Sequence, residues 1–323
     1  MRDIDYAFAV ATIRSREPYL LTYSFMEQLI DAPDYAAAKR ILSDKGLNEF
    51  EKTDDVSEAL SDYIPDTWSF LKEIAPDKNA IDFLVVKNDF HNLKAVIKGI
   101  ISGNFSDKVL IKPCIIDTNE MYESVKNKSF DSLPKWISDT AAYAYELLTS
   151  TMDGQLFDMM IDKASLAKMI EFSKKSNSNF AIAITDTFVS LTNIKIALRL
   201  SESNKSDSVY DYAFCECDGI DVNLLKKASQ KGKDEVVSYI EGTNYAKFSE
   251  YINKSYALFE KKCDNAILEM ADSAKLISFG IEPLVAYYFA KEAECKTLKI
   301  IMNGKHIGLS KDEINERVRE LYV

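Results

Sequence analysis

The stretch Asp54-Asp55-Val56-Ser57-Glu58 fits D-D-x-x-(D/E). On a helix this spacing sets carboxylates one turn apart, where they can hold magnesium and, through it, a diphosphate. The second half of such a site, (N/D)-D-x-x-(S/T)-x-x-x-E, is missing. Asn88-Asp89 begins one, but Asn92 stands where a hydroxyl is required. Asp55 followed three residues later by Glu58 also reads as a capping box opening a helix, and that reading carries more weight. Histidine chemistry is nearly excluded, because the chain has two histidines, His91 and His306, far apart in sequence. No stretch fits the phosphate-cradling G-x-x-x-x-G-K-[ST]; Asn303-Gly304-Lys305-His306 lacks the upstream Gly and the hydroxyl. H-E-x-x-H, G-x-S-x-G and G-x-G-x-x-G are absent too. The five cysteines (Cys114, Cys215, Cys217, Cys263, Cys295) are odd in number and irregularly spaced. Only Cys215 and Cys217 are close, and neither histidine is near enough in sequence to complete a zinc set. The expectation is a chain with no catalytic residue, no metal and no cofactor.

Basic residues at helical spacing remain. Lys87, His91, Lys94 and Lys98 step by 4, 3 and 4, about 100° round the wheel from an apolar stripe of Phe83, Val86, Phe90, Leu93, Ile97 and Ile100. This predicts a helix over 83–100 that stops near Gly99 or Gly103. The same phrase then recurs. Residues 92–98 read NLKAVIK, 193–199 read NIKIALR and 297–303 read TLKIIMN, which puts Lys94, Lys195 and Lys299 in register at spacings of 101 and 104. Carried forward, the apolar stripe lands on Ile184, Thr187, Leu191, Ile194 and Leu198, then on Tyr288, Lys291, Cys295, Leu298 and Met302. Thr187 and Lys291 are the polar intrusions.

A helix-like segment lies earlier in each unit (Phe25–Leu42, Phe157–Phe172, Val222–Ile240), and polar stretches at 126–132 and 203–208 read as loops. Near-equal spacing with a shared phase marks internal repetition. The reading is an all-α protein of three similar helical subdomains, 1–112, 113–208 and 209–323, grouped about a pseudo-three-fold axis. Lys94, Lys98, Lys195, Arg199 and Lys299 are its candidate basic contact positions. At the C-terminus, Ser310 and Glu313 form a capping box, after which Ile314, Val318 and Leu321 step along one helical face.

Composition agrees. Ten Gly and seven Pro in 323 residues leave little material for the turns of a β fold. A net charge of −11 argues against a nucleic-acid partner. Residues 31–66 alone carry ten acidic and four basic side chains; a solvated surface is the ordinary reading, an acidic docking face the sharper one. No run approaches the roughly 18–20 apolar residues of a membrane span, and cysteine usage without a secretory signal points to the reducing cytosol.

The segment GIEPLVAYYFAKEAECKTLKIIMNGKHIGLSKDEINERVRELYV (280–323) resembles the C subunit of the V-type/A-type ATP synthases, the relative of the d subunit of the vacuolar ATPase. YAFAVATIRSRE (6–17), NDFHNLKAVIKG (88–99) and TNIKIALR (192–199) are similar to that family's other recurrent segments. Where family members often carry Arg-Asn-Leu-Arg, this chain has Lys296-Thr297-Leu298-Lys299, which keeps the charge and drops the Asn amide.

The resemblance implies a funnel-like, non-catalytic socket. It would bind central-stalk subunits on one side and a membrane rotor ring of small hydrophobic subunits on the other. It would transmit torque for coupled cation (H+ or Na+) transport from the cytoplasmic face of the cell membrane. The competing classes are an all-α terpenoid synthase-like enzyme, through Asp54 and Asp55, and a free-standing helical adaptor.

Overall fold

The computed structural model of the chain describes residues 3–202 and 207–323. Among the described residues the regular elements are α-helices and short 3-10 turns, with no strand. Many of the connections replace glycine with a polar cap. Asp117 accepts from the N–H groups of Asn119 and Glu120, Ser178 from Ala181, Asp221 from Asn223 and Leu224, and Ser255 from Leu258. A side-chain oxygen that satisfies an otherwise orphaned amide lets a helix start abruptly, so a chain poor in Gly and Pro can still fold back on itself.

The chain divides into two compact units. One is Asn79–Ala246. It contains the Lys94 helix (Val86–Ser102) and the Lys195 helix (Asn179–Ser201), together with helices Lys135–Thr151 and Gly154–Lys175. Its core gathers Phe90, Leu93, Ile97, Ile137, Phe157 and Ile161. The stripe from Phe83 to Ile97 is buried as expected, and the Lys94 helix ends at Gly103 in the left-handed region, φ 73°. In the Lys195 helix Ile184, Leu191, Ile194 and Leu198 are buried, and the intrusion Thr187 is matched by the Tyr245 hydroxyl. By length and composition this is a helix that could cross a membrane, yet more than half of its apolar stretch is buried within the protein. That is the pattern of a core helix.

The other unit joins Met1–Lys78 to Lys247–Val323. Its longest element is the Lys299 helix, Glu282–His306. Leu298, Ile301 and Met302 from that helix share a core with Leu29, Leu42, Phe50 and Val56 from the N-terminal helices. The intrusion Lys291 is explained by Glu294, one turn on, at 2.7 Å.

Three sequence expectations are corrected. Phe25–Leu42 is two helices, Tyr23–Asp31 and Tyr35–Asp44, the second capped by Asp34. Val222–Ile240 is likewise broken at Gly232, φ 127°. At the C-terminus the capping box of Ser310 and Glu313 is present, but the helix ends at Arg317 and Val318 is extended. Side chains capture the following backbone instead. Asn265 accepts the Glu320 N–H at 3.1 Å and the Tyr23 hydroxyl accepts the Leu321 N–H at 3.0 Å. Of the polar stretch at 203–208, residues 203–206 lie outside the described residues.

Candidate partner-contact site

Two of the three repeated phrases share a local device. Asn92 stands two residues before Lys94; its Oδ1 accepts the Ile111 N–H at 2.7 Å and its Nδ2 donates to the Ile111 carbonyl at 2.9 Å. Asn193, two residues before Lys195, does the same to Cys215, at 3.1 and 2.7 Å. One amide thereby satisfies both backbone groups of a residue in the segment that follows the helix. Carboxylates on the same helix faces extend the bracket. Asp89 accepts the N–H groups of Ile115 and Ile116 at 3.0 and 2.8 Å, and Asp186 accepts the Asp218 N–H at 2.6 Å. Two residues along a helix is a rotation of about 200°, so the bracket and the lysine point to different sides.

The Lys299 helix departs from this pattern. Thr297 occupies the Asn position, and its hydroxyl is buried with no hydrogen-bond partner among the described residues. Glu294, one turn earlier and buried, takes over. It accepts the Leu21 N–H through Oε1, and the Tyr63 hydroxyl at 2.6 Å through Oε2. The third helix is therefore bracketed by the N-terminal segment of the chain.

Burial sets the electrostatics of these brackets. It pushes the Asp89 carboxyl up to about 6 against the opposing pull of its backbone N–H partners, and raises Asp186 for the same reason. Burial likewise pushes the thiols of Cys114 and Cys215 up to about 11 and 12, so neither is a nucleophilic thiolate at neutral pH.

The five basic positions fall in different surroundings. Lys94 pairs with Asp162 at 2.7 Å and Lys98 with Asp158 at 2.6 Å, both carboxylates lying on the helix Gly154–Lys175. These two lysines and His91 border one hollow of about 350 Å³, and the His91 Nε2 lies 3.1 Å from the Val109 carbonyl. Lys195 is half-buried without an ion pair among the described residues, and Arg199 is exposed. Lys299, in the other unit, is half-buried and also makes no ion pair among the described residues.

Asp54 and Asp55 are occupied locally. Asp54 pairs with Lys39 at 2.9 Å. Asp55 caps the helix Val56–Ala59, accepting from Ser57 and Glu58 at 2.8 and 3.3 Å. The expected return bond is not made, because Glu58 accepts the Thr53 hydroxyl at 2.7 Å instead. Among the described residues no group of three His, Cys, Asp or Glu is placed to hold a metal ion. His306 lies edge-on to Tyr35, with ring centroids 4.9 Å apart.

The brackets went unrecognised in the sequence although their signal is there. An Asn, an apolar residue and a basic residue open two of the three phrases. Reading Asn92 as a failed metal motif hid its partner nineteen residues away.

The profile of the ATP synthase (C/AC39) subunit family matches residues 9–317. The chain is 27% identical to the C subunit of the A-type ATP synthase of Methanocaldococcus jannaschii, over 96% of this chain and 85% of that one. It is 23% identical to the C subunit of the V-type sodium ATPase of Enterococcus hirae, over 96% and 97% of the two chains. With the C subunit of the V-type ATP synthase of Thermus thermophilus the identity is 22%, over 97% and 98%. With a family profile matched along nearly its whole length, the chain belongs to the ATP synthase (C/AC39) subunit family.

Proposed function

We propose that this chain is the non-catalytic central-rotor subunit of a V-type/A-type rotary ATPase or ATP synthase. In this reading it is a socket that links the central stalk to the membrane rotor ring and transmits torque for cation transport, held at the membrane through the ring. The observation that carries the proposal is end-to-end similarity to the C subunits of both A-type and V-type complexes, covering 96–97% of this chain in the three relatives named. Three repeats, 1–112, 113–208 and 209–323, about a pseudo-three-fold axis would let one helix per repeat face an axial shaft. The matched Asn92 and Asn193 brackets support the first two as copies of one unit.

Lys94, Lys98, Lys195, Arg199 and Lys299 are the proposed rim of the stalk contact, around an apolar centre that resists torque. Lys94 and Lys98 would exchange their present carboxylates for those of the partner, whereas Lys195 and Lys299 enter without an ion pair to break. The test is co-purification of the tagged chain with stalk subunits and ring, followed by joint reversal of Lys94, Lys195 and Lys299 to Glu. The triple variant should fold, assemble with the stalk more slowly at low salt, and lose salt dependence. Pull-downs that return only soluble partners from outside the complex, or ATP hydrolysis by the isolated chain, would overturn the reading.

A further inference from the structure

A second hollow, of about 260 Å³, lies between the C-terminal half of the Lys299 helix and the short helix Lys311–Arg317. Its walls are Ile300, Ile307, Leu309 and Ile314, and its charged residues are Lys299 and Arg317. Several observations set it apart from ordinary surface. Ile307 is 69% exposed at its edge. Gly304 also lines it, and a Cβ there would meet the Ile314 side chain at 2.8 Å, so the two helices approach each other here more closely than any side chain at 304 would allow. Among the described residues neither Lys299 nor Arg317 makes an ion pair. Glu313, the carboxylate that feels the Arg317 charge, is already held by Ser310.

An apolar depression of this size accepts one large side chain, the geometry of an interface anchor ringed by polar groups. Two cations without ion pairs on a chain of net charge −11 mark a place where an acidic surface would be attracted to an otherwise repelling molecule.

We propose that this hollow receives one bulky apolar side chain of an acidic segment of the central stalk, with carboxylates beside the anchor meeting Lys299 and Arg317. The inference rests on the rotor-socket reading and makes that reading specific. Lys299 becomes the edge of a seat rather than an isolated charge, and Arg317 and Ile307 join it.

The test uses the full chain and purified central-stalk subunits as the probe, across a salt series. One variant is Ile307→Asp, and the other is the double change Lys299→Gln with Arg317→Gln. Melting curves establish that each is folded. Ile307→Asp should weaken binding about tenfold or more at every salt concentration, because it places a charge in the apolar seat. The double variant should weaken binding chiefly at low salt and flatten the salt dependence. Wild-type binding with both folded variants unchanged would sink the seat and leave the rotor-socket reading standing. A parallel titration against the purified membrane ring, in which the variants lose ring binding while stalk binding stays intact, would show the occupant to be wrong. Failure of the wild-type chain to bind stalk subunits at all would overturn both.

Discussion

Asn193 and Cys215 are tied by two hydrogen bonds, the amide oxygen taking the Cys215 N–H at 3.1 Å and the amide nitrogen reaching its carbonyl at 2.7 Å. Asn92 and Ile111 repeat the arrangement, but Cys215 is buried whereas Ile111 is on the surface. A buried backbone group that loses its partner costs about 1–3 kcal/mol, and one that water can reach costs less. Asn193→Ala should therefore lower unfolding free energy by more than Asn92→Ala, with about 2–3 kcal/mol against about 1 expected in urea titrations. Equal losses at the two positions would mean that the brackets are not the structural unit proposed.

The helical class and the buried stripes were legible because helical burial leaves a period in the sequence. Thr187 and Lys291 broke that period. Their reasons, Tyr245 and Glu294, lie 58 and 3 residues away, the latter visible in sequence only as one more glutamate. Helix ends were harder still. Nothing local to Val318 stops a helix; Tyr23, some three hundred residues earlier, competes for the backbone there. The ion pairs of Lys94 and Lys98 were invisible for a similar reason, since Asp162 and Asp158 sit on a different helix.

Asp89 gives the protein a titration near the physiological range. Its carboxyl sits at about 6 in the folded chain, against about 4 when unfolded. The folded state therefore holds the proton more tightly. This group's contribution to stability is full below about pH 4 and is lost as pH rises through 6. Burial is the main cause; Asp82 raises it further, while the Ile115 and Ile116 N–H groups oppose the shift. Asp89→Asn removes the titration but keeps a side-chain oxygen. On lowering the pH from 7 to 4, wild type should gain about 2–3 kcal/mol relative to the variant. A difference that does not move with pH would assign the carboxylate a purely geometric role.

Glu294 is a buried charge with three partners. Lys291, Tyr63 and the Leu21 N–H all depend on it, and the Lys291 ammonium also lies 4.0 Å from the Tyr63 ring centre. Burial, then the Glu294 charge, hold the Tyr63 hydroxyl well above its ordinary range, so it stays a donor. Glu294→Ala leaves a largely buried lysine without its counter-charge, holding only the Tyr63 oxygen at 2.6 Å, and leaves the Tyr63 hydroxyl and Leu21 N–H without their acceptor. Breaking such a pair costs about 3–5 kcal/mol. Lys291→Met leaves the carboxylate its two remaining donors and preserves the apolar stem, so its cost should be smaller. Thermal melts of the two variants test the order. If Lys291→Met proves as damaging as Glu294→Ala, the ammonium rather than the carboxylate organises the cluster.

Truncation after Gly308 probes how the two ends of the chain are joined. The removed residues include Ile314, Leu321 and Tyr322, all buried, and Ile314 and Leu321 share a core with Leu29, Leu42 and Phe50 from the N-terminal helices. Each large apolar side chain contributes roughly 1.5–3 kcal/mol when fully buried. The truncation also strips a 2.9 Å bond to Asp264 that Arg319 supplies, and the Leu321 N–H that Tyr23 accepts. The truncated chain should melt well below wild type, by an amount larger than any single substitution above. The loss should concentrate in the unit built from Met1–Lys78 and Lys247–Val323. Amide exchange resolved by segment can separate the two units. Faster exchange in helices Tyr23–Asp31 and Glu282–His306 is expected, with Val86–Ser102 unchanged, because that helix packs in the other core. Uniform destabilisation of both units would show that they unfold as one, and unchanged exchange in Tyr23–Asp31 would show that the C-terminal residues do not hold the N-terminal helices.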